Sequence, residues 1–181
     1  MDWKKYLETL ENDKDWLAAI DLMQQVIENN PSDKEAYIRG IYLLLNILLE
    51  EDYPEDKHDT MASFLKKYFE ESYSKFSNDA EYLFFIGYFI ELADWYFGED
   101  KLELAGEMTK RAYNLESKNL LYEWSWRFSK GDPLAGKLSE KIFTLDKSKI
   151  DWLKSKGAPG HYLLNVIKNC YEDYKQQAYG N

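Results

Sequence analysis

Glu55-Asp56-Lys57-His58 satisfies Glu-x-x-His, the element that holds half of a di-iron carboxylate centre when two copies face each other inside a helix bundle. Here it occurs once, beside Pro54, in a stretch that reads as a loop, so the spacing predicts no metal site. A His-paired nucleophile would need His58 or His161, the chain's two histidines. One lies in a charged loop and the other at the expected start of a helix, and both read as surface residues. Cys170, the single cysteine, sits among Val166, Ile167 and Tyr174 and reads as a small core residue. It excludes a disulfide framework and a cysteine-based zinc site and fits a reducing compartment. Gly157-Ala158-Pro159-Gly160 lacks the Lys-Ser/Thr of a phosphate loop and reads as a turn between helices. Adjacent acids such as Glu50/Glu51 and Glu70/Glu71 do not share a helix face and read as solvated surface. The sequence therefore points to no catalytic, cofactor-binding or metal-ligating residue, and to a protein that is not an enzyme.

The elements around these residues are helical. With 181 residues the chain fits one domain with a substantial core. Its 15 Tyr, 9 Phe and 6 Trp exclude disorder, and 9 Gly with 4 Pro are too few for the turns of an all-β chain. Thirty-three acids against 23 bases give a net charge of −10. That balance argues against a nucleic acid backbone as ligand and for a basic protein partner. Ile41–Leu49 and Tyr82–Ile90, the longest apolar stretches, have about half the ~20 residues a membrane helix needs. No apolar run follows the N-terminal Met1-Asp2-Trp3-Lys4, so neither a signal peptide nor a membrane span is expected, and the reading is of a cytoplasmic protein.

Trp3, Tyr6, Leu7 and Leu10 form one stripe of a first amphipathic helix. Trp16, Ala19, Ile20, Met23, Val26 and Ile27 form a second, ending at Asn29-Asn30-Pro31. Ser32 or Asp33 caps a third, which carries Ala36, Tyr37, Ile41, Leu44, Leu45 and Leu48. After the acidic loop 50–59, further helices are predicted over Thr60–Lys75, Ala80–Phe97 and a segment through Ala105, Thr109 and Ala112. Beyond Asn119 come a short aromatic helix to Phe128 and a restart at Pro133. A short helix near Ile150–Lys156 and a last one over His161–Gln177 complete the chain.

These helices resemble tetratricopeptide repeats, whose period is 34 residues. Trp3 opens the first unit, and Ala19, Met23, Val26 and Pro31 follow at the family's Ala, aromatic, Ala and Pro offsets. Tyr37 comes 34 residues after Trp3, Gly87 stands where the repeat's Leu-Gly pair falls, and Ala105, Thr109, Ala112 and Ser117 repeat the second-helix offsets. The resemblance implies an all-α fold of antiparallel helical hairpins stacked as a short right-handed solenoid. Residues 1–119 would form degenerate repeat units and 120–181 a C-terminal capping block of the same single domain.

Such arrays bind partners on a concave face lined by the first helix of each pair. The register places Lys4, Lys5, Glu8 and Glu11 there from the first unit, Glu35, Arg39 and Tyr42 from the second, and Glu81, Phe84, Tyr88 and Glu91 from the third. Glu8 and Tyr42 stand where the carboxylate clamp of chaperone-binding members has asparagines, which argues against a peptide carboxylate as ligand. The expected partner-binding residues are Glu8, Glu11, Glu35, Arg39, Tyr42, Tyr88 and Glu91, extended by Asp94, Glu99 and Asp100. In size, acidity and cysteine usage the chain also resembles small bacterial immunity proteins of contact-dependent growth inhibition systems. That likeness implies stoichiometric binding to a basic, nuclease-type toxin domain, with occlusion of its active site or substrate groove. The tetratricopeptide likeness alone implies an adaptor or chaperone-like scaffold that holds a peptide or helix in its groove.

Overall fold

The computed structural model describes residues 2–98 and 101–179. Ten α-helices occur among the described residues: α1 Trp3–Asn12, α2 Trp16–Asn29, α3 Lys34–Glu50, α4 His58–Phe76, α5 Ala80–Leu92, α6 Lys101–Leu115, α7 Leu120–Ser129, α8 Leu134–Leu145, α9 Lys147–Lys154 and α10 Ala158–Tyr179. No strand occurs among the described residues, so the fold is all-α. No helix among them is long and apolar enough to cross a membrane.

Polar N-caps set several helix starts. Asp15, Asp33, Asp79 and Asn119 each accept a backbone N–H from the first turn that follows, satisfying donors the helix itself cannot. Neighbours in sequence then pack together: α1 on α2, α2 on α3, α3 on α4, α5 on α6, α6 on α7 and α7 on α8. Alternate helices also meet, α3 on α5 and α5 on α7, and α10 returns to lie against α3, α8 and α9. One buried cluster runs from Leu7 in α1 to Ile167 in α10.

Three boundaries differ from the pattern-based reading. His58 is the first residue of α4 rather than a loop residue, because a 3-10 turn at Glu55–Lys57 feeds straight into that helix. The α5 helix stops at Leu92, where Ala93 turns extended (φ −161°) before a second 3-10 turn at Asp94–Tyr96. The Gly157–Gly160 segment is not a loop. Gly157 alone breaks the chain, with φ +68°, while Pro159 and Gly160 belong to the first turn of α10. Proline is tolerated there because a first-turn N–H has no intrahelical acceptor. Two side chains also depart from expectation: Tyr6, placed on the inner stripe of α1, is exposed, and Cys170 is only half-buried.

Gly87 marks a close helix approach. A Cβ there would lie 3.1 Å from both Met108 Cβ and Thr109 Cγ2 and 3.2 Å from the Ala105 carbonyl, so α6 rests directly on the α5 backbone. On an open helix face, Gly87→Ala would stabilise by ~1 kcal/mol. Here overpacking dominates, and the variant is expected to lose about 1–3 kcal/mol in urea denaturation. A stabilised variant would mean that α5 and α6 are further apart than described.

Candidate interaction face

The register residues do fall on shared helix faces. Glu8 and Glu11 follow Trp3 and Lys4 along α1, Glu35, Arg39 and Tyr42 lie along α3, and Glu81, Phe84, Tyr88 and Glu91 lie along α5. Helical spacing of three and four turns each set to one side. Much of that side is covered by the chain's own C-terminal helices. Trp152 of α9 packs against Phe84 and Phe85, with ring centroids 6.3 and 5.8 Å away. Lys156 pairs with Glu81 at 2.6 Å. Tyr162 of α10 sits between Tyr42 and Tyr88, at 5.8 and 6.3 Å. Arg39, Tyr42 and Tyr88 accordingly keep only 2, 9 and 5 % of their surface exposed.

Arg39 is the charged centre of this contact. Its Nε donates to Glu35 at 3.1 Å, Nη1 to Glu8 at 3.3 Å and Nη2 to the Ser155 carbonyl at 3.3 Å, and the guanidinium lies 5.6 Å from the Trp3 ring centroid. Lys4 closes the network by pairing with Glu35 at 2.7 Å. Burial by itself would raise the Glu35 carboxyl, but the Lys4 hydrogen bond and the charges of Arg39, Lys4 and Lys156 outweigh it and hold Glu35 below its ordinary value. Gly157 is shaped to the same guanidinium: a Cβ there would come 2.5 Å from Arg39 Nη1.

Beside that network runs a row of Glu11, Tyr42, Tyr162, Tyr88 and Glu91. Glu11 and Glu91 are both half-buried, and neither forms an ion pair among the described residues. Burial pushes Glu11 up to about 7, against the lowering field of Arg39 and with a further push from Glu8. Burial does the same to Glu91, also to about 7, in spite of Lys130 and a hydrogen bond from Ser129. The hydroxyls of Tyr42, Tyr88 and Tyr162 bond to no other described residue and are not sealed from solvent. Burial raises all three phenols, Tyr42 and Tyr88 well above their usual range, so they stay protonated and can both donate and accept.

These shifts make the row pH-sensitive. A carboxyl whose folded value exceeds its unfolded value favours the fold while protonated, so stability falls as pH rises from about 4.5 through about 7. Glu11→Gln and Glu91→Gln are each expected to raise the melting temperature at pH 8 by roughly 2–4 °C. At pH 4.5 they should leave it unchanged. Equal effects at both pH values would show that the two carboxyls titrate normally.

Glu8, Glu11, Glu35, Arg39, Tyr42, Tyr88 and Glu91 are thus brought together, partly as an internal ion network and partly as the acidic-aromatic row. Asp94 is directed elsewhere. It opens the second 3-10 turn and lines a cavity of about 680 Å³ with Lys66, Glu70, Trp95 and Lys101. Glu99 and Asp100 lie outside the described residues. Sequence reasoning missed Trp152, Ser155, Lys156, Gly157 and Tyr162, all from the C-terminal block. One signal for them was present: Tyr82–Ile90 is apolar all round, whereas a helix lining an open groove needs a polar stripe. No family model matches the chain, and no curated protein matches it.

Proposed function

We propose that the protein is a non-catalytic binding protein that engages one basic protein domain stoichiometrically, in the manner of an immunity protein neutralising a toxin. In this reading residues 1–119 form a tetratricopeptide-like array of helix pairs, supported by the packing of α1 on α2, α2 on α3, α3 on α4 and α5 on α6, and of α3 on α5. Residues 120–181 close it. The observation that carries the reading is the pair of half-buried carboxylates, Glu11 and Glu91, bracketing a row of tyrosine hydroxyls, neither carboxylate in a direct ion pair among the described residues. Arg or Lys side chains of a partner would supply the missing counter-charges through charge-assisted hydrogen bonds. The overall charge of −10 would accelerate encounter with such a partner. An adaptor that lays an extended peptide along the concave side is less well supported, because α9 and α10 already pack against α3 and α5.

The test is co-expression with each reading frame adjacent to its gene, scored for rescue of growth and for a one-to-one complex on size exclusion. The expected result is one toxic basic partner whose toxicity the chain abolishes, with a complex that weakens as salt rises. Replacing Glu11 and Glu91 by glutamine should weaken that complex about 10–100-fold. Full affinity in the double variant would overturn the proposed face. Exchangeable binding to several partners would overturn the inhibitor reading in favour of the adaptor.

A further inference from the structure

The acidic loop 50–59 and the turn at Asp94–Tyr96 are distant in sequence, yet a ladder of rings joins them. Tyr53 stacks on His58 with centroids 6.1 Å apart and an interplanar angle of 21°, and its hydroxyl lies 2.7 Å from His58 Nδ1. His58 meets Tyr96 at 5.9 Å, and Tyr96 meets Trp95 at 5.7 Å. Trp95 ends the ladder 63 % exposed, unusual for so large an apolar ring.

The treatment of the other indoles is informative. Trp3 lies beneath Lys4 and Arg39, Trp126 beneath Arg127 and Trp152 beneath Lys156, so the chain covers these rings with its own cations. Trp124 is fully buried, and Trp16, with no cation over it among the described residues, packs half-buried against the core. Among the described residues no cation lies over Trp95, although the carboxylates of Asp94 and Glu70 line the same cavity. The far end of the ladder carries the exposed acids Asp52, Glu55, Asp56 and Asp59.

We propose that this ladder is a second docking surface, one that takes an arginine side chain from a basic segment of a partner protein on the face of Trp95, beside Asp94 and Glu70. A guanidinium suits the site in two ways: its plane can stack on the indole, and its fork can bond the carboxylate of Asp94 or Glu70, which line the same cavity. Lys66 and Lys101 line the same cavity and repel either cation equally. Only the guanidinium adds planar stacking and a two-pronged bond to offset that repulsion, so arginine is favoured over lysine. The ladder shares no residue with the Glu11–Glu91 row, so this inference stands or falls apart from the inhibitor reading.

The probe is a short amidated peptide of alternating glycine and arginine, compared with its lysine and citrulline counterparts, titrated into the full chain and followed by amide and indole chemical shifts. The arginine peptide should move the Trp95 indole and the amides of residues 94–97 ahead of other acidic regions. Lysine should bind more weakly, and citrulline should leave these signals in place. Trp95→Ala is expected to weaken arginine-peptide binding about threefold to fivefold, with Trp95→Phe in between. Trp95 is exposed, so neither variant threatens the fold. Equal affinity in Trp95→Ala, shifts spread evenly over the acidic surface, or an equal response to citrulline would each overturn the proposal.

Discussion

Arg39→Ala is expected to cost about 3–5 kcal/mol, because it removes a buried cation whose partners remain in place. Three acceptors on three elements depend on that guanidinium: Glu8 on α1, Glu35 on α3 and the Ser155 carbonyl at the end of α9. Glu35 keeps Lys4, so the loss falls hardest on Ser155 and on the space between Trp3 and Gly157. Hydrogen exchange should therefore accelerate first in α9 and the start of α10, ahead of α5 and α6. Arg39→Lys retains the charge but not the planar fork, and should recover no more than about half of the loss. A stability change under ~1 kcal/mol for Arg39→Ala would mean that the C-terminal helices are not seated on α3.

The helices were legible because their causes are local. A stripe such as Leu7 and Leu10, a cap such as Asp33 and a stop such as Asn29-Asn30-Pro31 each act within one or two turns, and each stands where the pattern put it. The covering of the face was not legible, because its cause is distant: Arg39 and Ser155 are 116 positions apart. Periodicity tells which side of a helix is apolar but not which element will lie on it. Tyr42 and Tyr88 illustrate the ambiguity, since a tyrosine suits a binding groove and a buried contact equally, with an apolar ring and a polar tip. The same limit hid the aromatic ladder. The rings of Tyr53, His58, Trp95 and Tyr96 lie in two segments that sequence reading could describe only as acidic surface, and they meet because the turn at Asp94–Tyr96 rests on α4.

Gly157→Ala is the second large effect, expected to destabilise by about 2–4 kcal/mol through two separable causes. The backbone there has φ +68°, which costs an L-residue about 1–2 kcal/mol. The remainder is steric, because the new methyl would have to displace the Arg39 guanidinium. Gly131 isolates the first cause: it has φ +64° and nothing within 4 Å of a Cβ, so Gly131→Ala should show the backbone cost alone. Arg39→Ala isolates the second. In that background the methyl has room, and Gly157→Ala should cost no more than Gly131→Ala, giving a coupling of roughly 1–2 kcal/mol between positions 39 and 157. Denaturant midpoints of the four members of the cycle measure this directly. If Gly157→Ala and Gly131→Ala cost the same in the wild-type background, the guanidinium does not rest on the start of α10, and the face lined by Glu35, Arg39 and Tyr42 is open to a partner after all.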